Sequence, residues 1–336
     1  MKNNNKNVLF ALSASKELGK KVAKHLKMPL SPVEIKHFAD GETMVKAVES
    51  IRNKHVFVIQ STSKPVNENL MELLIAIDSF RRASAKSINV VLPYYGYARQ
   101  DRKTLGREPI TCKLVADLLE KAGATRFTII DLHSNQAQGF FDAPVDTCSA
   151  SYAVLNQMIK QSGIKNSVIV SPDYGSVKRA RDLAEIYNLP VAILDKRRPK
   201  PNQAEITNVL GHVKGMNAII IDDMIDTGGT LIAACKVLKQ KGVKKIYAGA
   251  THGLFSRDAV ENFNKALKNK IIDGLYIANT LDQVYNLKIK GLKIVDISSL
   301  FAYNVFAFCN DLIVSLFNSI IVYSLFVINA FSLSAL

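Results

Sequence analysis

The chain has 336 residues, of which 48% are apolar and 22% charged, the balance of a packed globular protein and not of a disordered one. Its 44 Lys and Arg face 29 Asp and Glu, a net charge of +15 that suits anionic ligands. No basic block is interleaved with aromatics, so a nucleic-acid partner is not expected, and Cys112, Cys148, Cys235 and Cys309 show neither metal-ligand spacing nor a disulfide framework.

The Lys/Asn-rich start leads at once into the apolar run Val8–Leu12, too short for a signal-peptide core, and a cytoplasmic protein is expected. Further strands are predicted at Val56–Gln60, Ile88–Leu92, Phe127–Leu132, Val168–Ser171, Val191–Leu194, Ala218–Asp222 and Lys245–Ala250. Several lack polar alternation, as strands covered on both faces do. Helices are predicted between them. Over Asn67–Ala85, Leu70, Leu73, Leu74 and Ile77 recur at three- and four-residue spacing; over Thr230–Lys241, Leu231, Ala234 and Leu238 share a face, and Gly242 supplies a stop. This alternation predicts an α/β fold with mainly parallel sheets. "VVLPYYGYAR" (90–99) and "VIVSPDYGSVKR" (168–179) echo each other, which suggests two copies of one unit meeting near residue 150.

The densest chemistry lies in "AIIIDDMIDTGGTL" (218–231). A buried strand is expected to end in Asp222-Asp223, followed by a loop of Asp226, Thr227, Gly228 and Gly229 and a helix starting near Thr230. Glycines permit positive φ and close approach to a ligand. Loop N–H groups at a helix start make a nest for phosphate. Two adjacent carboxylates at a strand's carboxyl end suit a pair of sugar hydroxyls or water-bridged Mg²⁺. No Gly-Lys-Ser/Thr follows, so this is not a Walker A loop.

Taken alone, "FADGE" (38–42) reads as a surface turn, "RQDRK" (99–103) as a solvated charge run and "DKRRPK" (195–200) as a basic loop. Together with "YARQDRK" (97–103), "REPITCKLVADLL" (107–119), "DLHSNQAQGFFD" (131–142), "SPDYGSVKRA" (171–180) and "THGLFS" (251–256), and in their order along the chain, they resemble the ribose-phosphate pyrophosphokinases over roughly residues 7–301. The resemblance implies two tandem phosphoribosyltransferase-like domains, 7–150 on the ATP side and 151–301 on the ribose-5-phosphate side, each with a mainly parallel sheet flanked by helices. It implies pyrophosphoryl transfer from MgATP to ribose 5-phosphate, with Mg²⁺ as cofactor and a homo-oligomer, a hexamer in that family.

By the same resemblance, Phe38 stacks on adenine, Asp40 and Glu42 contact the base or ribose, and Gly41 belongs to the same ATP-binding set. Arg99 and Gln100, with Arg107 nearby, contact the triphosphate. His133 and Asp173 contact Mg²⁺. Asp222, Asp223, Asp226, Thr227, Gly228, Gly229 and Thr230 bind ribose 5-phosphate. Lys196 and Arg198 are the catalytic cations of a lid, and Pro199–Gln203 reads as an open loop. Ser176 replaces a glycine usual in the family's pyrophosphate turn, which narrows that turn's freedom.

Two other functions share parts of this pattern. A phosphoribosyltransferase that consumes the activated sugar would keep the 222–230 loop and lack the other segments. A silent regulatory subunit would lose Lys196 and Arg198. From residue 302 to 336 the chain becomes apolar, and it is uncharged after Asp311. It reads as a buried helix pair, as a sequence altered by a change of frame or a gene-model error, or as a membrane anchor. The last is disfavoured because no basic residue flanks the run.

Overall fold

The computed structural model describes residues 6–163, 165–200 and 203–302, with side chains described except over 196–207. The Lys196 and Arg198 side chains and the apolar tail from 303 onward lie outside what is described.

The first half contains β1 (Asn7–Ala11), α1 (Lys16–Leu26), β2 (Val33–His37), β3 (Thr43–Ala47), β4 (His55–Ile59), α2 (Val66–Arg82), β5 (Ser87–Leu92), α3 (Thr111–Ala122), β6 (Arg126–Ile130) and β7 (Val145–Cys148). Strands β1, β4, β5, β6 and β7 form a parallel sheet in the order β1-β4-β5-β6-β7. Strands β2 and β3 form a separate antiparallel hairpin. The second half contains α4 (Ser151–Ser162), β8 (Ser167–Ser171), α5 (Val177–Ile186), β9 (Val191–Lys200), β10 (Gln203–Leu210), β11 (Asn217–Ile225), α6 (Gly229–Gln240), β12 (Lys245–Gly253), α7 (Ala259–Lys268), β13 (Gly274–Ala278) and β14 (Leu292–Val295). Its sheet runs β10-β9-β8-β11-β12-β13-β14, parallel except for β10.

All eight strands expected from apolar runs are present. The apolar spacing of α2 buries Leu73, Ala76, Ile77 and Phe80 completely, while Met71 on the other side is 53% exposed. One buried cluster joins the halves. It runs from Leu9, Phe57, Ile59, Val91 and Ile130 of the first sheet, through Val154, Leu155 and Met158 of α4, to Ile219, Ile221 and Tyr276 of the second. Burial of this kind stabilises by about 25 cal/mol per Å² of apolar surface removed from water. Its effect here is to set the carboxyl ends of β6, β11 and β12 close together.

Two local expectations are corrected. β11 does not stop at Asp222 but continues to Ile225, because β12 pairs with it beyond the end of β8: Asp222 lies opposite Ala250 and Ile225 opposite Gly253. Of Pro199–Gln203, expected as an open loop, Pro199 and Lys200 belong to β9 and Gln203 opens β10, while 201 and 202 lie outside the described residues. β9 pairs with β8 only as far as Ile193, then runs on to Lys200 against β10, with Lys200 opposite Gln203. Antiparallel pairing satisfies backbone groups that an open loop would leave to water. Lys196 and Arg198 therefore ride on a two-stranded ribbon extending from the sheet.

Candidate active site

β11 delivers its carboxylates to the carboxyl edge of the second sheet, where ligands bind in such folds. Gly228 then takes φ +74 and Gly229 opens α6. Only Gly228 needs the left-handed conformation. A Cβ there would also lie 2.2 Å from the Phe263 ring. Gly229 has ordinary φ, and a Cβ on it would meet nothing within 4 Å. That space is open for a ligand at the start of the helix. Thr227, Gly229 and Thr230 are all exposed around it.

Behind this loop the carboxylates are tied together. The backbone N–H of Asp223 donates to Asp222 Oδ1 at 2.9 Å. Arg179, on α5, donates through Nη1 to Asp222 Oδ1 at 3.2 Å and lies 3.5 Å from Asp223 Oδ1. His133, just beyond β6, places Nδ1 2.6 Å from Asp223 Oδ2. The hydrogen bond to Asp223 raises the imidazole above its ordinary value, against the opposing effect of burial. Burial opposes the charge on Asp223, but the bond from His133 and the Arg179 guanidinium hold this carboxyl below the usual range. Burial, then the Asp223 charge, pushes Asp222 up despite Arg179, and a side chain still 31% exposed tempers the rise. The two acids titrate as a unit in which Asp223 gives up its proton first. An ionised carboxylate beside a more readily protonated one offers both acceptor and donor to a pair of hydroxyls.

The first sheet supplies the opposite wall. Arg99 Nη1 donates to Asp226 Oδ2 at 2.8 Å, linking residues 127 positions apart. Burial works against the charge on Asp226, yet the Ser256 hydroxyl and Arg99 bring its pKa down. Arg99, Gln100, Arg102, His133, Gly175, Ser176, Lys178 and Arg179 share one cavity of about 1130 Å³. Cations thus gather from β5's following loop and from α5. Gln100 also accepts from the Thr111 hydroxyl at the start of α3. Arg107 is exposed and does not line the cavity. Ser176 takes φ −92, which any residue adopts, and its N–H donates to Asp173 Oδ1 at 2.9 Å. The loss of a glycine there costs no strain in this turn.

Several expected residues are not brought together within one chain. Phe38, Asp40, Gly41 and Glu42 form the tip of the β2–β3 hairpin, where Gly41 has φ +95 and Phe38 is 51% exposed. None of the four lines the cavity with Arg99 and Gln100. Among the described residues no three His, Cys, Asp or Glu side chains converge to hold a metal ion. His133 is engaged by Asp223, while Asp173 keeps Oδ2 open. Mg²⁺ prefers oxygen, retains water and takes one or two protein contacts beside substrate phosphates. This donor set fits an ion that arrives on a nucleotide, not a protein cage.

Sequence reasoning missed Arg179. Arg179 stands within "SPDYGSVKRA", but nothing in its spacing signals two carboxylates more than forty residues away.

Known proteins show the same plan. The N-terminal domain of ribose phosphate pyrophosphokinase matches residues 7–123, and the phosphoribosyl synthetase-associated domain matches residues 198–317. The chain is 52% identical over 312 residues to the ribose-phosphate pyrophosphokinase of Mycoplasma genitalium, covering 93% of this chain and 94% of that one. It is 48% identical over 313 residues to the enzyme of that name from Fusobacterium nucleatum, covering 92% and 98%. The crystal structure of phosphoribosylpyrophosphate synthetase from Mycobacterium smegmatis aligns with a TM-score of 0.83 at 39% identity, covering 90% of this chain and 99% of that one. Similarity at this identity over nearly the whole length, joined to the strand-end loop facing Arg99 and His133, means that the chain belongs to the ribose-phosphate pyrophosphokinase family.

Proposed function

We propose that this chain transfers the pyrophosphoryl group of ATP to the anomeric hydroxyl of ribose 5-phosphate, giving phosphoribosyl pyrophosphate and AMP. The observation that carries the reading is the meeting of the Asp222–Thr230 loop with Arg99 and His133 across the two sheets. The loop N–H groups and the start of α6 take the 5-phosphate. Asp222 and Asp223 hold the ring hydroxyls, with Arg179 and His133 fixing their direction. Arg99 and Gln100 take the triphosphate, guanidinium suiting phosphate oxygens by its planar set of donors.

The anomeric oxygen bonds to the β-phosphorus as the bond from that phosphorus to the α-phosphate oxygen breaks, and AMP leaves. No covalent enzyme intermediate is required, and alignment of the two substrates accounts for much of the rate. Lys196 and Arg198, on β9, stabilise charge spread over the phosphoryl oxygens. His133 and Asp173 are the residues that would hold a Mg²⁺ ion carried on ATP, which would supply neutralisation of the phosphate charge. Because the Phe38 hairpin lies away from the Arg99 cavity of its own chain, it serves the nucleotide of a neighbouring copy in an oligomer, a hexamer by family resemblance. Residues 7–150 and 151–301 are the two domains, and the protein works in the cytoplasm.

The test is a chromatographic assay with ATP, Mg²⁺ and ribose 5-phosphate. AMP and phosphoribosyl pyrophosphate are expected in equal amounts, only when the sugar is present. Formation of ADP instead, or sugar-independent AMP release, would overturn the reading.

A further inference from the structure

Directly behind His133 lies a polar network that the reaction does not touch. His252, near the end of β12, is 1% exposed. Its Nε2 lies 3.2 Å from the Asp131 carbonyl oxygen and its Nδ1 3.0 Å from Thr280 Oγ1. Tyr94 packs edge-on against the ring at 5.0 Å. The Ser61 hydroxyl donates to the Thr280 carbonyl, so the ends of β4 and β6 in the first sheet are stitched to β12 and the turn after β13 in the second.

Asp131 is the strained member. It takes φ +39, a conformation that a residue with a side chain rarely adopts unless its surroundings impose it. Its carboxylate is pinned by the Ala150 N–H at 2.9 Å and by the Thr251 hydroxyl. Among the described residues its carbonyl accepts from His252. Two residues on, His133 reaches Asp223. Freeing that carbonyl lets the peptide after Asp131 rotate and carries the His133 ring off line.

We propose that His252 is a positioning residue for the transfer reaction: by bridging the Asp131 carbonyl and the Thr280 hydroxyl, it fixes the turn that aims His133 at Asp223. The inference rests on the proposed function through the part played there by His133. Complete burial holds the His252 pKa down, so the ring carries one proton. A carbonyl only accepts, which places that proton on Nε2. The single proton of the Thr280 hydroxyl is divided between Nδ1, at 3.0 Å, and the Thr251 carbonyl, at 3.1 Å.

Two conservative variants separate the two bonds. The Gln amide nitrogen reaches the place of Nε2, and the Asn amide the place of Nδ1. His252→Asn is expected to lower kcat by about tenfold or more, the scale of a small misplacement near reacting groups, with KM for ribose 5-phosphate within about twofold of wild type. His252→Gln is expected to restore kcat to within about threefold. A residue needed only for folding would lose activity in both variants in step with lost stability. Equal kcat in His252→Asn and wild type, or equal loss in the two variants with equal drops in melting temperature, overturns the proposal. Neutron diffraction on the wild-type enzyme gives a second test that needs no variant. Deuterium on Nε2 is expected, and deuterium on Nδ1 alone overturns the proposal. A wild-type enzyme without sugar-dependent AMP release would instead count against the proposed function.

Discussion

Replacing Gly228 by Ala strikes the phosphate loop in two ways, and both can be sized from the structure. At φ +74 a residue with a side chain costs about 1–2 kcal/mol. The new Cβ would sit 2.2 Å from Cε2 and 2.6 Å from Cζ of Phe263, a buried ring held edge-on by Phe255. Overpacking of that kind costs about 1–3 kcal/mol. Ala also loses less freedom on folding, which returns about 0.4–1 kcal/mol. The net loss is about 1–5 kcal/mol, a fall in melting temperature on the order of 2–15 °C. Gly229→Ala is the control. Its φ is ordinary and its Cβ meets no atom, so stability stays within about 1 kcal/mol of wild type. The added methyl does project into the ligand's space, so KM for ribose 5-phosphate rises. Differential scanning calorimetry at one protein concentration, paired with steady-state kinetics, reads both effects. If Gly228→Ala melts with wild type, or if the two variants lose stability equally, the argument from φ and Phe263 is wrong.

Lys196→Ala is expected to lower turnover by orders of magnitude while ribose 5-phosphate still binds by calorimetry; near-normal turnover would remove Lys196 from the chemistry. The His133–Asp223 pair gives a pH signature in magnesium-free buffer. Because the His133 pKa is raised on folding, its contribution is complete below the unfolded value of about 6.5 and fades as pH climbs through the folded one. Because the Asp223 pKa is lowered, its contribution is complete above about 3.9 and fades as pH falls through the folded one. His133→Gln should therefore destabilise most between about pH 4 and 6.5 and least in alkali, and denaturant titrations showing a flat difference would contradict this. Burial pushes the Cys112 thiol up to about 11 and Cys235 to about 12. Both should resist iodoacetamide at neutral pH until the chain unfolds, while half-buried Cys148 in the cavity wall reacts before either of them; peptide mass spectrometry after native labelling checks the order.

The parts legible in the sequence are those whose meaning is local. Val8, Val56, Val168 and Ala218 each open a continuous apolar run, and a strand covered on both faces needs nothing more to be recognised. The β2–β3 hairpin, β7, β10, β13 and β14 escaped. Apart from β13, which lies buried between β12 and β14, they are short or edge elements such as "LKIV" and "VDTC", and their state depends on which neighbour offers backbone partners. The same dependence carried β11 three residues past Asp222, since β12 supplied the pairing.

The sequence by itself determined the phosphate loop. Asp222 to Thr230 is one strand–turn–helix passage, in which acids, glycines and a helix start are set within nine residues by chain connectivity. Only the tertiary structure decided that Arg99 reaches Asp226, that His133 and Arg179 share Asp223, and that His252 steadies Asp131. Those contacts join segments 44 to 127 positions apart. No local spacing encodes them: the packing of two sheets around α4 brings their strand ends together, and a charge gains its role there from whatever that packing places within 3.5 Å of it.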